Sequence, residues 1–151
     1  MRITAKVDYA VRAATEMAAA PGGPVKGELL ADRQGIPPKY LENILADLRR
    51  SGLVASQRGA DGGYWLASPA DEISVADIIR AVEGPLADVH GTPPEMVSYA
   101  GPATNLQRVW VATRAALRAI LEEVTIADVV AGTLPPAAER FLAEPDAWSR
   151  R

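Results

Sequence analysis

The tightest constraint on the fold is the run from residue 34 to 67, "QGIPPKYLENILADLRRSGLVASQRGADGGYWLA". Its "QGIPP" stops one helix and starts another, because proline suits a first helical turn whose N–H groups have no partner. From Pro38 to Arg50, Tyr40, Leu41, Ile44, Leu45 and Leu48 recur at helical spacing and define a buried face. Glu42, Asn43, Asp47 and Arg50 fall towards the other side. Ser51–Gly52 closes the helix as a glycine C-cap does. Leu53–Gln57 then reads as a short strand, "RGADGG" as a turn, and Tyr64–Ala67 as the returning strand.

The flanking segments complete the pattern. A first helix is expected from about Lys6 to Ala20, with Thr4 as N-cap and Val7, Ala10, Val11, Ala14, Met17 and Ala18 inward. "PGGP", Pro21 to Pro24, ends it. A short second helix spans about Lys26 to Arg33, with Leu29 and Leu30 inward. After the hairpin, Ser74 and Asp77 form an acidic version of the capping box and open a helix from Val75 to Glu83. Helix, helix, helix, hairpin, helix is the order of a winged helix-turn-helix. The fold class is therefore mostly α with a small β-hairpin wing, plus a long later helix.

That long helix is expected from about Asn105 to Val124, roughly 30 Å at 1.5 Å per residue. Leu106, Val109, Trp110, Thr113, Leu117, Ile120, Leu121 and Val124 make its apolar stripe. The stripe is too long for one small neighbour, so a second subunit is the natural cover. Thr125–Gly132 reads as a short final helix or turn. Four regions follow: 1–83, a DNA-binding domain; 84–104, an irregular sensor region; 105–131, the dimerisation helix and following turn; 132–151, a C-terminal tail.

In a helix-turn-helix the second helix of the pair enters the major groove. Lys39, Glu42 and Asn43 occupy its first turn and a half. Lys39 can meet phosphate or guanine, Asn43 adenine, and Glu42 the cytosine amino group. Tyr40 is either core or a phosphate-contacting hydroxyl. Arg58, at the base of the wing, can enter a minor groove; its alternative is an ion pair with Asp61 or Glu42. The wing glycines are read as turn residues. A phosphate-binding loop would carry lysine after its last glycine, where this chain has Tyr64.

Charge and composition narrow the classes. The net charge is −3, yet residues 1–66 hold nine Lys/Arg against seven Asp/Glu, and residues 67–151 seven against twelve. The basic half is the one that carries the helix-turn-helix. The chain has no cysteine and one histidine, His90, which excludes disulfides and thiolate metal sites. No enzyme constellation is visible. No apolar run reaches the roughly 20 residues that span a bilayer, and a cytoplasmic protein is expected.

Three stretches together, "MRITAKVDYAVRA", residues 34–67 and "EISVADIIRAVEGPL", resemble the Rrf-two (Rrf2) family of winged-helix transcription regulators. "RVW" and "EEVTIADVV" resemble that family's dimerisation helix and following turn. The resemblance covers residues 1 to about 131. It implies a homodimer on a roughly palindromic operator, usually a repressor. It places recognition-helix contacts on Lys39, Tyr40, Glu42 and Asn43, the wing arginine on Arg58, and backbone-proximal positions on Arg2, Thr4 and Lys6.

The chain departs from the family pattern in three places. Pro37, Pro38 and Lys39 replace the usual serines, and Ala60 and Asp61 replace the Pro-Gly of the wing. The three cysteines of the IscR- and NsrR-like cluster-binding members fall on Thr92, Ser98 and Thr104, and a fourth ligand position on Gln107. No iron–sulfur cofactor is expected, since such clusters are held mainly by cysteine. The expected partners are double-stranded DNA and a second copy of the chain. A small-molecule effector with Trp110, His90 and Tyr99 as lining is one alternative for the signal. A partner-binding adaptor that has lost DNA binding is another reading of the whole.

Overall fold

The computed structural model describes residues 2–20 and 22–149. Pro21, part of the breaker expected after the first helix, and the last two residues of the tail lie outside them. The helices are α1 (Ala5–Ala19), α2 (Gly27–Gln34), α3 (Pro38–Arg50), α4 (Val75–Glu83), α5 (Leu106–Leu121), α6 (Ile126–Ala131) and α7 (Pro136–Leu142); the strands are β1 (Val54–Gln57) and β2 (Gly63–Leu66). No helix among the described residues is long and apolar enough to cross a membrane.

The core belongs to the first four helices and the wing. Leu30, Leu41, Ile44, Leu45, Leu48, Ile73 and Ile78 are among its fully buried side chains. Ala10, Ala13 and Ala14 of α1 are buried without any exposure, and such small residues let α2, α3 and α4 approach it closely. The turn between α2 and α3 is made by Gly35, whose φ of 60° lies in the left-handed region. Its N–H and that of Ile36 cap the end of α2, and Ile36 inserts into the core.

The wing is a two-stranded antiparallel hairpin in the register Val54↔Leu66 to Gln57↔Gly63. Val25 adds a third, single-residue rung by exchanging two backbone hydrogen bonds of 2.8 Å with Tyr64. Two glycines are required there. A Cβ on Gly62 would lie 2.1 Å from the Gln57 carbonyl oxygen, and one on Gly63 would lie 2.6 Å from that of Val25.

A repeat ties the later helices to this core. "ISVADII" (residues 73–79) and "VTIADVV" (residues 124–130) carry the same capping box, Ser74 with Asp77 and Thr125 with Asp128. The two N-caps pair antiparallel: the Val75 N–H donates to the Val124 carbonyl and the Ile126 N–H to that of Ile73, both at 2.9 Å. Ile126 is thereby buried against α1, and the end of α5 is fastened to the DNA-binding half.

Four expectations need correction. Leu29, expected inward, is 40% exposed, because the short α2 turns Leu30 and Ala31 to the core instead. Tyr40 is not on the buried face: it is 40% exposed, because the core is filled at its level by Leu41 and Ile44, and its ring meets Tyr9 edge-on at 5.7 Å instead. The 84–104 region is less irregular than its glycine and proline content suggests. It holds helical turns at Pro94–Met96 and Gly101–Ala103, and a two-residue turn at His90–Gly91 closed by mutual Val89–Thr92 hydrogen bonds. The tail contains a helix, α7, which starts at Pro136 and buries Ala138.

Candidate nucleic-acid interface

Helix α3 presents its polar positions as one stripe. Lys39, Glu42, Asn43, Ala46, Arg49 and Arg50 are all exposed and recur at three- and four-residue intervals, so they share a face. The small Ala46 at its middle leaves room for a close approach. Pro38 at N1 starts the helix, and no side chain caps its N-terminus. Among the described residues, Lys39, Glu42, Asn43 and Arg49 make no ion pair or side-chain hydrogen bond. Arg50 pairs with Asp47 at 2.7 Å.

The wing stands beside this stripe. A cleft of about 200 Å³ is lined by Pro38, Leu41, Glu42 and Leu45 of α3 on one side and by Gln57, Gly59, Gly62 and Gly63 of the wing on the other. Arg58 is exposed, and among the described residues it forms no ion pair with Asp61 or Glu42 or any other acid. Lys26 was singled out by nothing in the sequence beyond its place at a helix start. Its ammonium donates to the Gly59 carbonyl at 2.8 Å and holds the wing turn against the N-terminus of α2. Arg49 likewise escaped sequence reasoning; only its three-residue spacing from Ala46 puts it on the stripe.

The N-terminal residues divide. Arg2 is exposed. Thr4 caps α1 by accepting from the Val7 N–H at 3.2 Å, and its hydroxyl donates to the Glu83 carboxylate. Lys6 pairs with Asp47 of α3 at 2.8 Å and donates to the Val82 carbonyl of α4 at 2.7 Å. These two side chains join α1 to α3 and α4. Asp47 is held below the usual carboxylate range, first by the Lys6 hydrogen bond and then by that of Arg50. Asp128 is lowered by the backbone and hydroxyl donors of Thr125.

In the 84–104 region, His90 and Trp110 line one cavity of about 250 Å³ with Val89, Pro94 and Thr113. Tyr99 does not line it, but its hydroxyl accepts from the Trp110 indole N–H at 3.1 Å. His90 is the one non-glycine described with positive φ, 53°.

The fold agrees with comparison to known proteins. A family model described as "Rrf2: Iron-dependent Transcriptional regulator" matches residues 3–132. The chain belongs to the Rrf2 family. Its relatives include a Mycobacterium tuberculosis protein named "Putative HTH-type transcriptional regulator", 52% identical over 136 residues that cover 89% of this chain and 84% of the relative. The Bacillus subtilis HTH-type transcriptional regulator CymR is 35% identical over 88% of this chain and 92% of its own. Its solved structure, titled the global cysteine regulator of that organism, superposes with a TM-score of 0.74 over 88% of this chain and 98% of that one, at 34% identity. The T. potens IscR structure superposes at 0.71 with 34% identity, over 87% and 88%.

This Rrf2 member is a DNA-binding transcription regulator with a winged-helix fold. The iron in the family's description finds no matching ligand set here. At two of the positions on which the family resemblance places cluster ligands, the Thr104 hydroxyl donates to the Gly101 carbonyl at 2.6 Å and Gln107 donates to the Glu95 carbonyl at 2.9 Å. Thr92 closes the His90–Gly91 turn through its backbone, and Ser98 is a hydroxyl on an exposed loop. These are local structural contacts made by poor ligands for an iron–sulfur cluster. Among the described residues no three His, Asp or Glu side chains converge as a metal site.

Proposed function

We propose that this regulator binds a palindromic operator as a homodimer, without an iron–sulfur cluster, and represses transcription. The observation that carries the reading is the exposed polar stripe of α3, where Lys39, Glu42, Asn43 and Arg49 have no ion-pair partner among the described residues, set beside an Arg58 on the wing that likewise has none. Lys39, Glu42 and Asn43 are the base-reading candidates, Tyr40 and Arg2 the phosphate-contacting ones, and Arg58 the minor-groove arginine. Thr4 and Lys6 serve the interface indirectly, by fixing α1 against α3 and α4. Most of the affinity is expected from phosphate contacts, so it falls steeply with salt.

The dimer is supported by α5, none of whose residues is buried within one chain. Val109 is 52% and Trp110 36% exposed, a stripe that a two-fold copy of itself covers. The cavity at His90 and Trp110, with Tyr99 behind it, is the candidate place for a small-molecule effector. The reading excludes catalysis as the chain's role.

A gel-shift with DNA from upstream of the chain's own gene, and with sites selected from its genome, tests this. A selective shift at low salt that weakens in Arg58→Ala is expected. No selective shift on any such site, from folded dimer, contradicts it. Asp61, exposed at the wing tip without an ion-pair partner among the described residues, favours a second reading, a protein-binding adaptor. That reading requires Arg58→Ala and Lys39→Ala to leave cellular function unchanged.

A further inference from the structure

Outside the DNA face, three arginines converge on one cavity. Arg80 of α4 and Arg114 and Arg118 of α5 line a space of about 450 Å³ together with Leu86, Asp88 and Glu95 of the connecting segment. That volume is within the range of small-molecule sites, roughly 300–1,000 Å³. The guanidinium groups already hold carboxylates. Glu95 pairs with Arg114 at 2.6 Å. Glu122 is gripped by Arg80 and accepts from Arg118 Nε at 3.0 Å.

These pairs leave donors free. A guanidinium carries five N–H groups in a planar fork. Glu95 engages one terminal nitrogen of Arg114, and Glu122 engages only the Nε of Arg118. Both carboxyls are lowered from their ordinary value. For Glu95 the main cause is its own backbone N–H, followed by Arg114. For Glu122 it is the Arg80 hydrogen bond, with a smaller share from Arg118.

We propose that this cavity is a binding site for a small metabolite with two anionic groups, carboxylate or phosphate, held by Arg114 and Arg118 and closed by Arg80. Two guanidinium groups on separate side chains, each held by a different carboxylate, suit two anionic groups separated by three or four bonds and not a single small anion. Leu86 and the neighbouring prolines supply the apolar wall between them. The site spans α4, which packs in the DNA-binding half, and α5, which carries the dimer stripe. Occupancy would therefore bias the angle between the two halves. Glu95 acts as an internal competitor that the ligand displaces from Arg114.

Binding is read without DNA, so this claim and the operator claim fail separately. Calorimetric titration of the full chain with succinate, citrate, 2-phosphoglycolate and 1,2-ethylenediphosphonate, at fixed ionic strength and with acetate and inorganic phosphate as single-anion controls, tests it. The first two report a carboxylate ligand and the last two a phosphate-type one. At least one is expected to saturate at one site per chain, tenfold or more tighter than either control. Arg114→Gln with Arg118→Gln should abolish that binding. Glu95→Gln should tighten it severalfold by freeing Arg114, an effect that a damaged fold would not give. Saturation by none of the four, equal binding to the double variant, or unchanged or weaker binding to Glu95→Gln overturns the proposal.

Discussion

Helices α3 and α5 are of similar length and both carry an apolar stripe, but they meet different fates in one chain. Helix α3 buries Leu41, Ile44, Leu45 and Leu48 against α1, α2 and α4. Helix α5 has no buried residue, packs on the Pro94–Met96 turn, touches α4 and α7 lightly, and is fastened at its C-terminal end by the Ser74–Thr125 pairing. The first is completed by its own domain. The second is left uncovered within one chain. A hydrophobic periodicity reports that a face will be covered; it does not report by what.

The sharpest way to break the comparison is to charge the uncovered face. Val109→Asp with Trp110→Asp should give a monomer by sedimentation, with its winged-helix half still folded. Operator affinity should fall by about 100-fold or more, since one half-site then binds without the second. Truncation separates the two helices next. Leu45→Ala should cost about 2–5 kcal/mol in denaturant unfolding at any protein concentration. Leu117→Ala should act mainly through the dimer, so its effect on the midpoint should grow as the protein is diluted. Equal, concentration-independent losses would contradict the distinction.

Smaller effects test the DNA face itself. Arg58→Ala should weaken operator binding by about tenfold and lower the salt slope by about one, as loss of one cationic contact does. Asp61→Gly should strengthen binding slightly, by less than about 1 kcal/mol, because an exposed like charge near phosphate is largely screened.

The weakest expected effect is on pH. The Asp47 carboxyl has a folded value below its unfolded one, near 3.9. Its stabilising contribution is therefore complete above that value. It is lost as pH falls through the lower folded value, so the α1–α3 junction loosens only below about pH 4. Asp47→Asn should lose stability at neutral pH and show a flatter acid limb in urea melts.

The legibility of each part follows from where its determinants lie. The helix-turn-helix and wing were readable because Gly35, Pro38 and the wing glycines announce local backbone geometry, and the Leu/Ile spacing of α3 is strict. Tyr40 was misplaced because its position relative to the core depends on Tyr9, thirty-one residues away in sequence. The 84–104 region was opaque because its turn uses His90–Gly91 where Asn–Gly would have signalled it. Helix α7 has a proline start at Pro136 that resembles that of α3, but too few turns to show a period. The repeated capping boxes were visible as letters; only their pairing across fifty residues gives them meaning. Of the proposed interface, Lys39, Glu42, Asn43 and Arg58, expected from motif position, all lie exposed. Thr4 was legible as the N-cap of α1; its bond to Glu83, the Lys26 contact to the wing and the Lys6 bridge were not, since each depends on a backbone carbonyl or carboxylate brought close by the fold.

The most direct test of the account is fluorescence anisotropy of a labelled operator duplex titrated with the chain in the presence of an iron chelator. Two chains per site, selective binding over scrambled DNA, a steep loss with salt, and no change on chelation are expected. Binding that is unselective or absent from folded dimer, or that disappears when iron is removed, would contradict it.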